Sequence, residues 1–309
     1  MAIFLNSYLP DTDPYSQQQV VAKGLDIHKG ESNRRPFQLI EEDDISKLLK
    51  PREPFSHKGT YGHALLIAGA PNTMGAALIA ANGCLHAGAG LTTVSIPQSG
   101  LSALNTHLPE VMYTDRDGLL KDKEDAFQKY TTIGIGPGLG TDQAELLAIV
   151  LKANKPLVAD ADALNILAGD KKLLYKIPSG SIITPHMKEF DHLFGEHKTW
   201  WDRLQTAIDK AAELDIIIVL KNEYTFIIDQ KGTVSINPTG NPAMAQGGMG
   251  DALTGVIAAY LAQGYEAKFA AIIGVYFHGK AGDELAKKRY SITASELINQ
   301  FPKTVKRHP

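Results

Sequence analysis

The segment NPTGNPAMAQGGMGDALTGVIAAYLAQG, Asn237 to Gly264, places three glycines and one aspartate where an apolar helical pattern begins. Gly247, Gly248 and Gly250 have no side chains, so the backbone there can approach a bulky anion closely. The start of a helix adds unpaired amides and the positive end of the helix dipole, which favour anion binding. Asp251 could accept the proton of a hydroxyl group that attacks a phosphoryl group, or it could simply cap the helix.

Two other glycine motifs do not match nucleotide-binding signatures. The segment GIGPGLG has glycines at positions 134, 136, 138 and 140, which is not the G-x-G-x-x-G spacing of dinucleotide-binding folds. The segment GVYFHGKA, Gly274 to Ala281, is close to a P-loop but has alanine in place of the magnesium-binding hydroxyl. Its continuous helical pattern predicts a helix instead.

The rest of the chain alternates short apolar runs with helical patterns, which predicts an α/β fold with a mainly parallel sheet covered on both faces. The predicted strands are HALLIAG, LTTVSIP, TTIGIG, PLVAD, SIITP, IIIVLK, TFIID and TVSIN. The predicted helices include GAALIAANGCLHAGAG, TDQAELLAIVLKAN and WWDRLQTAIDKAAEL. The last two strands predict an antiparallel hairpin that turns at DQKG. Because ligands bind beyond the carboxyl ends of parallel strands, the loops that follow the strands are the candidate site.

The composition excludes several classes of protein. A formal net charge of −3 gives no general attraction to nucleic acid or to anionic membranes. The single cysteine, Cys84, excludes an intramolecular disulfide, and its position among small helical residues predicts buried packing. No apolar run approaches the roughly 20 residues that span a bilayer, and the amino terminus does not fit a secretory signal. We expect a soluble, cytoplasmic protein.

The predicted domain boundary lies at residue 38. Residues 1–38 are polar and predict an extension that is partly helical around Gln17 to Lys23. Residues 39–309 contain no evident internal repeat or low-complexity linker, which predicts one α/β domain.

Five motifs follow the order found in the NAD(P)HX dehydratases, a branch of the ribokinase-like kinases, and the sequence resembles that family over about residues 45–300. The motifs are HKGTYGHALLIAGAPNTMGAALIAANGCLHAGAGLTTVSIP, GIGPGLG, VADADALNILA, TPHMKEF and NPAMAQGGMGDALTGVIAA. The resemblance implies a ribokinase-like three-layer α/β/α fold with a mainly parallel central sheet and a late antiparallel hairpin. It also implies cofactor repair: the C6 hydroxyl of (S)-NADHX or (S)-NADPHX is phosphorylated from ADP, phosphate leaves, and AMP and the reduced cofactor are released.

The resemblance also implies roles for individual residues. Asp251 would be the catalytic base, and the hydrated nicotinamide nucleotide would contact Ala76, Gly138, His186 and Asp251. The adenosine-phosphate side would be lined by Lys221, Asn222, Glu223, Tyr224, Thr225, Gly248 and Gly250. Glu189 would help to organise Mg²⁺ through water, ATP could replace ADP as the donor, and the assembly would be a homotetramer.

These residues also have ordinary structural interpretations. Ala76 could permit close helix packing, Gly138 could serve a turn, and His186 could cap the following helix. Lys221 could be a solvated hairpin residue.

The segment DAD, residues 160 to 162, and Asn222 also have structural interpretations. Asp162 could cap the helix that contains ALNILA, with Asp160 beside the same turn. Asn222 stands where the family commonly has glycine, and asparagine tolerates left-handed backbone better than most residues.

Two other functions remain open at this stage. One is a ribokinase-like kinase that phosphorylates a small alcohol such as a vitamin precursor, which shares the glycine loop but not HKGTYG, TMGAA or TPHMKEF. The other is a nucleotide-binding protein without activity, which would have no use for Asp251 beside the phosphoryl site.

Overall fold

A computed structural model of the chain describes residues 21–23 and 37–307, and within them eleven strands form a single sheet. The strands are β1 (Val21–Lys23), β2 (Phe37–Leu39), β3 (His63–Ile67), β4 (Leu91–Ser95), β5 (Met112–Thr114), β6 (Thr132–Ile135), β7 (Leu157–Ala159), β8 (Ile182–Ile183), β9 (Ile217–Leu220), β10 (Thr225–Ile228) and β11 (Val234–Asn237). Their order across the sheet is β1-β2-β11-β10-β9-β8-β7-β6-β3-β4-β5.

The sheet is parallel except around β10, which is antiparallel to both β9 and β11. The predicted mainly parallel sheet and late antiparallel hairpin are therefore confirmed. All eight predicted strands form. Strands β1, β2 and β5 were not predicted because VAK, FQL and MYT each include a polar residue, whereas the equally short β7 and β8 are wholly apolar.

Twelve α-helices are described. They are α1 (Glu42–Leu48), α2 (Met74–His86), α3 (Leu101–His107), α4 (Arg116–Asp122), α5 (Ala144–Lys152), α6 (Asp162–Gly169), α7 (Lys171–Leu174), α8 (Met187–Phe194), α9 (Trp200–Leu214), α10 (Met249–Ala262), α11 (Ala267–Ala286) and α12 (Ala294–Lys306). Short 3₁₀ turns occupy Lys58–Tyr61, Gln98–Gly100, Lys123–Phe127 and Pro242–Met244. No helix in the described ranges combines the length and apolar character needed to cross a bilayer.

The sheet separates two apolar cores, as alternation along β3 illustrates. Leu66 packs with α2, α10 and α11 on one face, whereas Leu65 and Ile67 pack with α5, α6 and α9 on the other. One strand contributes to both cores because side chains of successive strand residues point to opposite faces. The structure thus has the predicted three layers.

Part of the predicted extension belongs to this sheet. Val21–Lys23 is a strand, so the helix predicted around Gln17 to Lys23 is wrong for those three residues. Strand β2 pairs with β1 on one side and β11 on the other. The remainder of residues 1–36 lies outside the described residues, and the boundary at residue 38 stays a prediction.

Helices α2 and α10 pack almost backbone to backbone through small residues. A Cβ atom added to Gly255 would lie 1.9 Å from the carbonyl oxygen of Ala80, and one added to Gly83 would lie 2.7 Å from that of Ala252. Cys84 lies fully buried in this contact, and burial raises the pKa of its thiol to about 12. The contact brings the first turns of α2 and α10 to the same edge of the sheet.

Candidate active site

The motif loops meet at the carboxyl edge of the sheet because their strands are neighbours. The order β9-β8-β7-β6-β3 places in one row the loops that begin at Ala68, Gly136, Asp160, Thr184 and Lys221. Strand β3 connects onward to β4 on one side, whereas β6 continues to β7 on the other. This reversal creates the crevice where open α/β sheets bind ligands.

The glycine loop enters α10 in a conformation that requires glycine. Gly248 precedes the helix with a φ of 90°, and a Cβ atom on it would lie 2.8 Å from Cδ1 of Ile79 in α2. Helix α10 begins at Met249, two residues before Asp251. Asp251 is therefore the third helical residue and not the cap.

The carboxyl group of Asp251 is partly buried and has an unusual pKa. This pKa is raised to about 6. Burial raises it most and the negative charge of Asp160 raises it as well, while the positive charge of Lys221 opposes both effects. A carboxylate with a pKa close to neutral can accept a proton more readily than an ordinary aspartate. The position and the pKa both suit a general base.

A buried ion pair lies beside this base. Asp160, 2% exposed, accepts a hydrogen bond from Lys221 Nζ at 2.8 Å and another from Thr254 Oγ1 at 2.9 Å. A methyl group on Gly250 would lie 3.5 Å from Asp160 Oδ2 and 3.5 Å from Lys221 Nζ. The glycine loop therefore lies directly over the pair.

The turn between β7 and α6 is strained. Ala161 has φ 49° and ψ −119°, a conformation that non-glycine residues rarely adopt and that costs roughly 1–3 kcal/mol. The turn buries Asp160 and directs Asp162 to the amide of Gly140, which donates to Asp162 Oδ2 at 2.8 Å. Asp162 is the first residue of α6, preceded by Ala161 at the cap position, so the predicted capping role is wrong.

Ala76 and Gly138 contact each other at the crevice between β3 and β6. Gly138 has a φ of 56°, and a Cβ atom on it would lie 2.9 Å from the Cβ atoms of both Ala76 and Thr73. The Thr73 hydroxyl donates to the Gly138 carbonyl at 2.7 Å. We name this surface, formed by Thr73, Ala76 and Gly138, the small-residue cradle.

Arg116 stabilises one wall of the small-residue cradle. It begins α4, and its Nη2 atom donates to the carbonyl oxygens of Ala68, Gly69 and Ser95 at 2.8, 2.9 and 3.1 Å. These contacts fasten the loop after β3 to the end of β4.

His186 caps α8, as its structural interpretation predicted. Its Nδ1 atom accepts from the amides of Lys188 and Glu189, and Glu189 Oε2 accepts from the His186 amide at 2.8 Å. Because Nδ1 is an acceptor, a neutral imidazole carries its proton on Nε2, which lies 3.5 Å from Glu189 Oε1. The ring stays half exposed beside the site and can still contact a ligand.

Six of the seven residues predicted for the adenosine-phosphate side line one cavity, and Gly248 is not among its lining residues. The volume of this cavity is about 440 Å³, and Gly250 forms part of its wall. Asn222 is exposed in this wall with a negative φ, so it does not use the left-handed backbone that asparagine tolerates. The cavity is lined by Lys221, Asn222, Glu223, Tyr224, Thr225, Asn237, Pro238, Thr239, Gly240, Asn241, Pro242, Met244, Ala245, Met249, Gly250, Leu253, Val275, His278 and Gly279.

The GVYFHGKA segment contributes to this cavity without being a P-loop. It lies inside α11, as predicted, and His278 hydrogen-bonds the Met249 carbonyl at 3.1 Å. Burial lowers the pKa of His278 to about 4, so the ring is neutral at pH 7 and donates from Nε2. His278 thereby fixes the first turn of α10.

Sequence reasoning did not assign functional roles to Asp160, Thr254, Arg116 and His278. A signal existed for Asp160, which directly follows a buried strand, and for Thr254, which is one turn after Asp251. The partners of Arg116 and His278 are distant along the chain, so no local pattern could identify them.

The described residues offer no group of three or more His, Cys, Asp or Glu side chains arranged to hold a metal ion. Glu189 lies at this edge, where burial raises the pKa of its carboxyl group, Lys221 lowers it and Asp160 raises it. A Mg²⁺ ion at this edge would therefore depend mainly on oxygen atoms of a bound phosphate and on water.

Both the sequence and the structure of this chain match known proteins. A family model described as NAD(P)H-hydrate dehydratase matches residues 64–303. A bifunctional NAD(P)H-hydrate repair enzyme of Moorella thermoacetica is 39% identical over an alignment of 273 residues, which covers 82% of this chain and 51% of the relative. The chain thus spans about half the length of that bifunctional relative.

Single-function relatives match over nearly their whole length. The ADP-dependent (S)-NAD(P)H-hydrate dehydratase of Lactococcus lactis is 34% identical over 87% of this chain and 98% of its own. The ADP/ATP-dependent NAD(P)H-hydrate dehydratase of Bacillus subtilis, co-crystallised with ATP and Mg²⁺, has a TM-score of 0.78 at 34% identity, covering 87% of this chain and 98% of its own. The fold is ribokinase-like, as predicted. The chain belongs to the NAD(P)H-hydrate dehydratase family.

Proposed function

We propose that this chain repairs hydrated nicotinamide cofactors by ADP-dependent dehydration of (S)-NADHX and (S)-NADPHX. The observation that carries the proposal is the position of Asp251. Its carboxyl group, with a pKa raised to about 6, lies in the first turn of α10, directly after Gly250 of the donor-cavity wall. The names and activities of the relatives support the same reaction.

The proposed reaction has two steps. Asp251 accepts the proton of the C6 hydroxyl group while that oxygen attacks the β-phosphorus of ADP, and the bond from this phosphorus to the oxygen of AMP breaks. The lone pair of the adjacent ring nitrogen then expels phosphate from C6, and loss of a proton from C5 completes the ring double bond. Phosphorylation is needed because hydroxide is a poor leaving group and phosphate is a good one.

The proposed roles follow the positions around the glycine loop. The amides at Gly248 and Gly250 stabilise charge on the transferred phosphoryl group. The donor nucleotide occupies the cavity lined by residues 221–225. Ala76 and Gly138 contact the hydrated nicotinamide nucleotide from the small-residue cradle, whose side chains are short. His186 contacts it from beside the donor cavity, because its backbone pairs with that of Lys221.

Mg²⁺ fits this proposal as an ion carried in with the nucleotide. Bound there, it would neutralise phosphate charge, and Glu189 would orient its water. The relative from Bacillus subtilis was co-crystallised with ATP and Mg²⁺, which supports a nucleotide–magnesium requirement but leaves ADP or ATP to be tested. The homotetramer and the cytoplasmic location stay predictions.

The testing experiment follows recovery of reduced-nicotinamide absorbance from chemically hydrated NADH. Purified protein is mixed with hydrate and Mg²⁺, and ADP, ATP or no nucleotide is added. We expect recovery with ADP and release of AMP, and no recovery with Asp251→Asn under the same conditions. Recovery with ATP alone would show that ATP, and not ADP, is the phosphoryl donor. No recovery with either nucleotide would favour a kinase that phosphorylates a small alcohol.

A further inference from the structure

Asp160 is the most buried acidic side chain at the carboxyl edge. Both of its oxygens are occupied, Oδ1 by Lys221 Nζ at 2.8 Å and Oδ2 by Thr254 Oγ1 at 2.9 Å. Burying a carboxylate removes it from water at a large cost, and an ion pair offsets this cost only when the geometry is good. A buried pair is thus weak evidence for stability and better evidence for a constraint on geometry.

The two partners of Asp160 flank the site of phosphoryl transfer. Lys221 forms part of the wall of the donor cavity and extends its ammonium group to beneath Gly250. Thr254 lies on α10 one turn after Asp251, so its side chain is on the same side of the helix as the base. One carboxylate therefore connects the cation on the donor side to the helix that carries the base.

A lysine side chain does not reach one fixed point unaided, because its four-carbon chain has many rotamers. The strained turn at Ala161 fixes the carboxylate, and the carboxylate fixes the ammonium group. Both hydrogen bonds to the Asp160 carboxylate come from side chains and neither comes from a backbone amide, so they do not stabilise a local turn.

We propose that Asp160 is a positioning residue for phosphoryl transfer, which holds Lys221 Nζ against the transferred phosphoryl group and keeps α10 aligned through Thr254. This inference rests on the proposed function. Asp160 itself touches neither substrate nor donor. Its effect is to fix a positive charge where negative charge develops during transfer.

The test compares Asp160→Asn with Asp229→Asn. Asp229 forms a closely matched pair with Lys268, with Oδ2 and Nζ 2.7 Å apart, and neither residue lines the donor cavity. Both variants remove one buried carboxylate charge from an aspartate–lysine pair, so general destabilisation affects both. Turnover, KM for the hydrate, and calorimetric affinity and stoichiometry for ADP are measured on wild type and both variants.

We expect Asp160→Asn to lower kcat about 10- to 100-fold, the scale of one lost stabilising group, while the Kd for ADP changes less than about threefold. Asp229→Asn is expected to keep kcat within about twofold of wild type after correction for the stoichiometry of ADP binding. Unchanged kcat in Asp160→Asn would overturn the inference, as would a loss of kcat that only follows the loss of ADP-binding sites.

Crystal structures of wild type and Asp160→Asn with ADP and Mg²⁺ provide a measurement that does not depend on turnover. We expect Lys221 Nζ to leave its position below Gly250 in the variant, and the same position in both structures would overturn the inference. Failure of wild type to act on hydrate, with ADP still bound, would refute the proposed function and leave this structural comparison decisive for Asp160.

Discussion

Two buried aspartate–lysine pairs in this molecule have nearly the same geometry and different surroundings. Asp160 and Lys221 are 2.8 Å apart with side chains 3% and 21% exposed, and Asp229 and Lys268 are 2.7 Å apart with side chains 6% and 24% exposed. The length and burial of an ion pair therefore do not indicate its role. The other contacts of the carboxylate do.

The second pair stabilises a turn. Oδ1 of Asp229 accepts from the amides of Lys231 and Thr233, at the turn between β10 and β11. These bonds satisfy backbone donors that the hairpin would otherwise leave unpaired. In the first pair, the Asp160 carboxylate accepts hydrogen bonds only from the side chains of Lys221 and Thr254. This pair lies beside Asp251, whose raised pKa shows that a negative charge on its carboxyl group is disfavoured.

The largest expected effect is a loss of turnover on substitution of Asp251. Asp251→Asn should lower turnover by about 10²–10⁴-fold, the usual contribution of a general base, with ADP affinity retained. Near-normal turnover would contradict the assigned role. The matched change Asp229→Asn should behave in the opposite way, with reduced stability and nearly normal turnover.

The raised pKa of Asp251 also predicts two pH effects with definite signs. Turnover should fall as the pH drops through about 6, because the base becomes protonated. Because the folded state binds this proton more tightly than the unfolded state, Asp251→Asn should stabilise the protein above pH 6 by roughly 1 kcal/mol after solvent screening. That gain should disappear below pH 4, as measured by urea denaturation across pH.

The next prediction removes each lysine in turn. Lys221→Ala leaves Asp160 buried with only the Thr254 hydroxyl as a partner, and it should cost roughly 2–4 kcal/mol in the free energy of unfolding. Lys268→Ala leaves Asp229 with two amide donors and should cost about 1 kcal/mol. Equal losses in chemical denaturation would show that the two pairs do not differ as we argue.

Two glycines of the loop above the first pair should respond differently to alanine. Gly250→Ala fits without a severe clash, so stability should change by less than about 1 kcal/mol while ADP affinity and turnover fall, because a methyl group fills space beside Lys221 Nζ. Gly248→Ala should destabilise by about 1–2 kcal/mol, since its φ is 90° and its methyl group would meet Ile79. Thermal unfolding and calorimetry with ADP separate the two outcomes.

The smallest expected effect concerns the strain that holds Asp160. Ala161→Gly removes the steric cost of a φ of 49° and should stabilise the protein by about 1 kcal/mol or less. If the strained turn positions Asp160, turnover should fall severalfold despite this gain in stability. A gain in both stability and turnover would contradict a positioning role for the turn.

Much of the fold followed from local patterns. The runs HALLIAG, PLVAD and IIIVLK became strands, and GVYFHGKA proved helical, because apolar periodicity reports burial directly. Strands β1, β2 and β5 were missed because VAK, FQL and MYT mix apolar and polar residues, unlike the equally short apolar strand β7. The helix predicted around Gln17 to Lys23 failed for Val21–Lys23, where pairing with β2 provides the hydrogen bonds.

The sequence by itself determined the chemical groups and the family: a glycine loop before a helix, Asp251 within it, and five motifs in a fixed order. It could do so because these features are short and local, and glycine conformation and helix polarity depend on neighbouring residues.

Only the tertiary structure decided what surrounds Asp251. Asp160 and Thr254 are 94 positions apart, and Asp160 and Lys221 are 61 apart, yet a single carboxylate joins all three. The strand order brings these residues together and buries them, and burial beside another charge is what raises the pKa of Asp251. Distance and burial are properties of the folded chain, so no local pattern could supply them.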